Sequence, residues 1–278
     1  LAVVVVTDAS SRLPVEELQR WNIRQVPLHI LVGEDDLRDG VDVIPNDIHE
    51  RAHVTTSGAT PGELGKAYRR ALADSGGDGV VAVHLSAALS STFSSAVTAA
   101  REFGPAVRVV NSRSAAMGVG FVATAAARCA AAGGDLDAVE AVARSTVSRG
   151  SAFIVVHRLD NLRRSGRIGA TSSWLGTALS LKPLLRIDVD GRLELAQRIR
   201  TASKAHAALV DQVADFVGDR RAAMAVHHVD NHDGADAMGA ALTERLPQIE
   251  ALTVTDMGPV LAIHLGAGAV GVCVSLSG

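Results

Sequence analysis

The sequence predicts an α/β protein of two domains. Residues 1–155 are expected to form an N-terminal three-layer α/β/α domain with a parallel sheet, and residues 156–278 a C-terminal α/β domain with a mixed sheet. Three observations carry this expectation. The chain has 278 residues, which at ~150 residues per domain suggests two cores. Short valine-rich runs alternate with helical stretches through the first half, the pattern of parallel strands joined by crossover helices. In the second half, two strand-like runs meet at Asp190-Gly191, a hairpin signal that requires an antiparallel pair.

The elements follow in order. Leu1–Thr7 is a continuous apolar run, as expected of a strand buried on both faces. Asp8-Ala9-Ser10-Ser11 is a turn able to cap a helix starting near Pro14. Val26–Val32 reads as a second strand and Gly33–Gly40 as an acidic turn. Thr60-Pro61-Gly62-Glu63 is a capping box with proline in the first helical position, opening a helix to about Ala73. Strands at Val80–Leu85 and Val107–Val110 are each followed by a serine-rich turn and a helix, the second one Ala-rich and stopped by Gly133-Gly134. A helix over Asp137–Ser148 and a strand from Ser151 to Val156 follow. Pro183–Val189 and Arg192–Ile199 form the hairpin. Then come a helix over Ser203–Val217, a strand over Ala223–His228, a helix to Leu246, and terminal strands, with Gly258–Gly278 read as two strands around a turn.

Composition narrows the function. Aromatic residues make up 3% and the formal net charge is −3, so neither a stacking platform nor a basic stripe for nucleic acid is available. Cys129 and Cys273 lie in apolar contexts without CxxC spacing and read as buried thiols of a reducing compartment. The uncharged run Gly79–Ala100 holds His84, five serines and two threonines, too many hydroxyls for a membrane-spanning helix. The start carries no basic segment or cleavage pattern, and a cytoplasmic protein is expected.

Several motifs compete for a catalytic reading. His49-Glu50-Arg51-Ala52-His53 matches HExxH, which on a helix presents two imidazoles and a general base to zinc. A zinc-dependent hydrolase is therefore the alternative function, although the segment is short and no third ligand is apparent. Gly118–Ala123 and Gly266–Gly271 have dinucleotide-fingerprint spacing, the first inside a helical pattern and the second after a strand-like run too near the end for a βαβ unit. His227, His228 and His232 with Asp230 and Asp233 could form a metal cluster, though such a group is more often a strand end and a solvated helix start. No metal or organic cofactor is expected.

Hydroxyl-rich turns recur at Thr7–Ser11, Thr55–Ser57, Ser86–Ser95 and Ser112–Ser114. In a parallel sheet the strand C-termini share one edge, where hydroxyls and helix N-termini can receive an anion. The bland alternative is that each hydroxyl caps its own helix.

These turns also carry a family resemblance. Thr7–Pro14 resembles the opening motif of the DegV family of bacterial fatty-acid-binding proteins. Thr56–Pro61 is similar to that family's TSQPSP segment, with Gly58 and Ala59 for Gln and Pro, and Ser86–Phe93 to SSGLSGTY, with Ala88 and Ser91 at the glycines. Asn111–Gly118 resembles DSxxxSMG, Arg163–Ile168 KKGGRI, Leu181–Leu185 IKPIL, and Gly258–Ala269 GPVI…HTGPG. The resemblance implies a two-domain, non-enzymatic protein that binds a long-chain fatty acid in a buried apolar tunnel. A separate fatty acid kinase subunit would phosphorylate the bound acid for phospholipid synthesis. It further implies that Thr56, Ser57, Ser90, Ser91 and His264 receive the carboxylate, and that Arg167 and Arg200 serve the kinase encounter or phosphoryl transfer.

Overall fold

Valine at four consecutive positions, Val3–Val6, is buried throughout, because branched side chains on both faces of a central strand meet helices on each side. In the computed structural model, which describes residues 2–168 and 181–278, the chain folds as two compact units. The first comprises residues 1–43 and 56–149, the second residues 44–55 and 150–278. The sequence division at residue 155 differs from this one by the strand that begins at Gly150 and by the detour at 44–55.

The first unit begins with β1 (Val4–Asp8), α1 (Val15–Arg20), β2 (Arg24–Val26), β3 (His29–Val32) and β4 (Asp35–Arg38). It continues with β5 (Val54–Ser57), whose last two residues belong to it, then α2 (Pro61–Asp74), β6 (Val80–His84), α3 (Thr92–Ala100), β7 (Val107–Asn111), α4 (Met117–Ala131) and α5 (Leu136–Ser148). Its main sheet has the order β2-β1-β6-β7 and every pair is parallel. Helices α2 and α3 pack on one face and α4 and α5 on the other, giving three layers. Two expectations are corrected. The run Val26–Val32 is two strands, because Pro27 has no N–H to donate and breaks the ladder. The acidic turn holds β4, which pairs antiparallel with β3; β4, β3 and β5 form a separate small sheet.

The second unit contains β8 (Gly150–Val155), α6 (Asp160–Arg164), β9 (Lys182–Ile187), β10 (Leu193–Ile199), α7 (Ala202–Val217), β11 (Ala222–His228), α8 (His232–Arg245), β12 (Ile249–Asp256), α9 (Pro259–Leu265) and β13 (Val270–Leu276). Its six-stranded sheet runs β10-β9-β8-β13-β11-β12. Only β11–β12 is parallel among its pairs, as a mixed sheet requires. Helices α7 and α8 cover a core that includes Phe153, Leu209, Met224 and Leu242. The β9–β10 hairpin is present, but its turn is longer than a two-residue Asp-Gly turn. Gly191 N donates to Asp188 O, and of the turn residues only Gly191 has positive φ, at 83°; this is a type I turn closed by a glycine bulge. The terminal segment is also corrected. Its first half is α9, started by Pro259 in the first helical position, and only β13 is a strand.

Candidate functional site

In an open parallel sheet, ligands settle at the strand C-termini where the chain order reverses. In the first unit that point lies between β1 and β6, and a buried polar network fills its base. Asp8 Oδ1 accepts hydrogen bonds from Ser10 N at 3.1 Å and from the Ser10 hydroxyl. Its Oδ2 accepts from Leu85 N at 3.1 Å and from His84 Nδ1 at 2.9 Å. The Tyr68 hydroxyl lies 2.8 Å from His84 Nε2, and Asp8, His84 and Tyr68 are all fully buried. A carboxylate can be buried this deeply because its lone pairs meet donors. Asp8 fixes the Nδ1–H tautomer of His84, leaving Nε2 to accept from Tyr68. Burial, with the nearby Asp8 charge, pushes the Tyr68 phenol well above its ordinary value, so it stays a donor. The turn Asp8–Ser11 is not the expected cap of a helix starting near Pro14. Instead, Asp8 caps a single 3₁₀ turn and pins the end of β6, while α1 has no side-chain cap.

The turn after β6 is built from its own hydroxyls. Ser86 N donates to Ser114 O at 2.8 Å, and Leu89 N and Ser90 N donate to Ser86 O at 3.0 and 3.1 Å. Ser90 Oγ accepts from Thr92 N at 3.2 Å and lies 3.0 Å from Thr92 Oγ1. Ser91 is exposed at the start of α3 and makes no side-chain cap. Gly58 closes on the same turn: a Cβ there would lie 2.5 Å from Thr92 Oγ1 and 3.2 Å from Ser90 Oγ. That contact brings the Thr56-Ser57 strand end beside Ser90, with Thr56 half-buried and Ser57 exposed. Four of the expected residues, Thr56, Ser57, Ser90 and Ser91, thus share one neighbourhood of the first unit. Thr56 and Ser57 are residues of β5 and not of a turn following a strand.

The capping box at the start of α2 forms as expected. Thr60 Oγ1 accepts from Glu63 N, and Glu63 Oε2 accepts from Thr60 N at 2.9 Å. His29 locks this corner, its Nε2 3.0 Å from Glu63 Oε1 and its Nδ1 2.7 Å from Asp36 Oδ1. Burial works against a charge on His29, but the hydrogen bonds to Asp36 and Glu63 outweigh it and raise the imidazole above its usual value.

In the second unit, Arg167 and His264 are neighbours. Gly166, with φ of 72°, turns the chain after α6 so that Arg167 N donates back to Leu162 O. His264 sits on α9, which packs on α6. Burial, reinforced by the Arg167 charge, pushes His264 down to about 4, so at neutral pH it is an uncharged hydrogen-bonding group. Ile168 bridges to Leu193 at the start of β10, whereas exposed Arg200 follows the strand's far end, ~20 Å along it.

The competing motifs dissolve in the fold. Of the HExxH segment only His49 and Glu50 are helical, in a 3₁₀ turn over Ile48–Glu50, and His53 has φ of 60°, so two imidazoles one α-turn apart are not presented. His49 Nε2 instead lies 3.0 Å from the Asp230 carboxylate. The His228 and His232 rings pack at 4.2 Å, and among the described residues no group of three or more His, Cys, Asp or Glu is placed to hold a metal ion. Gly118–Ala123 lies within α4, where a Cβ on Gly120 would come 2.8 Å from Ser11 O. Gly266–Gly271 follows a helix, not the expected strand. Of the two cysteines, Cys273 is buried and Cys129 partly so. Among the described residues no helix is long and apolar enough to cross a membrane.

Comparison with known proteins gives one consistent result. Residues 2–276 match the family model described as "Uncharacterised protein, DegV family COG1307". A DegV domain-containing protein of Mycobacterium tuberculosis is 64% identical over 276 residues, covering 99% of this chain and 98% of that one. The crystal structure of a DegV family protein from Corynebacterium glutamicum has 34% identity and a TM-score of 0.89, covering 100% of this chain and 99% of that one. A Thermus thermophilus structure, described as fatty acid binding of a DegV family protein, has 31% identity and a TM-score of 0.93 with both chains fully covered at 100%.

Proposed function

The chain belongs to the DegV family, and from that premise we propose that it binds a long-chain fatty acid and has no chemistry of its own. The observation carrying this reading is the neutral hydroxyl cluster of Thr56, Ser57, Ser90 and Ser91 at the start of α3, in a chain 31% identical to a Thermus thermophilus protein described as binding fatty acid. Burying a sixteen-carbon chain is worth on the order of 12 kcal/mol before ordering costs, at ~0.8 kcal/mol per methylene. That gain needs a dry aliphatic tunnel, which the Ala-, Val- and Leu-rich composition suits. The carboxylate must be met by donors, and neutral hydroxyls hold it without the shielding of a bidentate arginine.

The finer reading follows from the same resemblance. His264 is assigned to carboxylate recognition, and the fatty acid is presented to a separate kinase that forms an acyl phosphate. Arg167 and Arg200 are assigned to the kinase encounter or to the transferring phosphoryl group, where a guanidinium stabilises developing charge. Organic extraction of purified protein, followed by mass spectrometry, should release a stoichiometric long-chain fatty acid. A clean extract together with no thermal shift on adding fatty acids would overturn the reading. With a cognate kinase and matched lipid loading, Arg167→Ala should keep its lipid and lose turnover; unchanged turnover removes Arg167 from the assignment.

A further inference from the structure

At one end of a face of the second unit's sheet, basic groups gather with no carboxylate paired to them among the described residues. Val155 pairs with Leu184, and Val156 N donates to Pro183 O at 3.2 Å. Continuing this antiparallel register past the end of β8 brings His157 toward Lys182, whose charge acts on it, and Lys182 in turn pairs with Ile199 of β10. Alternate residues of a strand share a face. Phe153, Val155 and Leu184 belong to the core beneath α7, against which Ile199 also packs, so the row His157–Lys182–Ile199 lies on the α7 side. Helix α7 supplies His206 in its second turn, and both Lys182 and His206 act on the charge of His157.

This cluster is held in place and is uncompensated. The His157 ring packs against Gly268, where a Cβ would come 2.3 Å from Nδ1; only glycine, here at φ of 84°, admits it. His206 Nε2 is buried and has no hydrogen-bond partner among the described residues. Asp160, the carboxylate nearest in sequence to His157, is taken by Arg158 at 2.8 Å. No carboxylate pairs with His157, Lys182 or His206 among the described residues, and the segment 169–180 contains neither Asp nor Glu. Burial holds both imidazoles below their ordinary value, with the Lys182 charge adding to this at His157.

We infer that Lys182, His157 and His206 form a binding site for a phosphate-type oxyanion, whether free phosphate or the phosphoryl group of an ester or acyl phosphate. A dianion brings the missing countercharge, and its terminal oxygens can accept from the ammonium and from both rings once they take up protons. A monoanionic carboxylate would balance Lys182 alone. The N-terminus of α7, capped by Thr201 at Lys204 N, adds a favourable field from the same side. The site is independent of fatty-acid binding.

The test uses the full-length protein with three probes, inorganic phosphate, methyl phosphate and acetyl phosphate, and acetate as the carboxylate control. Calorimetry should show saturable binding of at least one phosphate probe, and which one binds identifies the source. The ring resonances of His157 and His206 should move toward the protonated form on phosphate and stay unmoved on acetate. Lys182→Met and His206→Gln should each weaken binding by about tenfold or more, the loss expected for one charge-assisted hydrogen bond. Fatty-acid retention by Lys182→Met should match wild type, which separates this site from the proposed lipid function. Absence of saturable binding for all three probes, or equal affinity in both variants, would overturn the inference.

Discussion

Ser90 Oγ serves its own turn by accepting from Thr92 N, yet a hydroxyl that accepts one bond can still donate its proton to an anion. The two roles have different sizes. Removing a charge-assisted bond to the carboxylate should cost ~1.5–3 kcal/mol of lipid affinity, roughly one to two orders of magnitude. Losing the local bond should cost ~1 kcal/mol of stability or less. Ser90→Ala and Thr56→Ala should therefore release fatty acid in a displacement assay while melting, lipid-free, close to wild type. Retention equal to wild type in both variants would place the carboxylate elsewhere.

At the scale of elements, His29 joins the β3–β4 hairpin to the first turn of α2 by bonding Asp36 with one nitrogen and Glu63 with the other. A neutral imidazole has one N–H and can donate to only one of them, so the double bond to two carboxylates requires the protonated ring. Because the folded state raises this pKa above 6.5, the stabilisation is complete below 6.5, down to the range where the carboxylates themselves protonate. It is lost as pH rises through the raised value. Both carboxylates are partly solvated, so the effect is modest. His29→Gln should melt about 1–4 °C below wild type at pH 6, with the gap closing above the histidine's folded pKa. A gap that does not change with pH would show that the clamp is packing, not charge.

The units depend on a detour that no local signal announces. Residues 44–55 leave the first unit's stretch of chain and belong to the second. Ile48, 1% exposed, lies in the 3₁₀ turn that packs on α9, and His49 pairs with Asp230. Ile48→Ala should cost ~2–5 kcal/mol through the cavity it leaves. The loss of amide-exchange protection should be confined to the second unit, α9 first. Loss spread equally over β1, β6 and β7 would mean that the segment supports the first unit instead.

Local order was legible in the sequence wherever it was written within a few residues. The buried valine run of β1, the capping box of α2 and the Gly133-Gly134 stop after α4 each depend on backbone geometry and side chains inside one or two turns. The hydroxyls of Ser90 and Thr56 were legible in the same way, as residue types at the ends of elements. Short segments misled: α9 has seven residues, too few for its period to show against its valine, leucines and isoleucine, and Pro27 split one apolar run into two sheets. Tertiary structure alone decided the rest. Asp8 meets His84 across 76 positions of sequence, His29 meets Glu63 across 34, and strand register brings His157 toward Lys182. Such pairs depend on which strands lie side by side and in what register. Helical period, caps and turn residues act over a few neighbouring residues and leave that order undetermined, so it emerges only when the whole sheet is assembled and its buried polar groups must find partners.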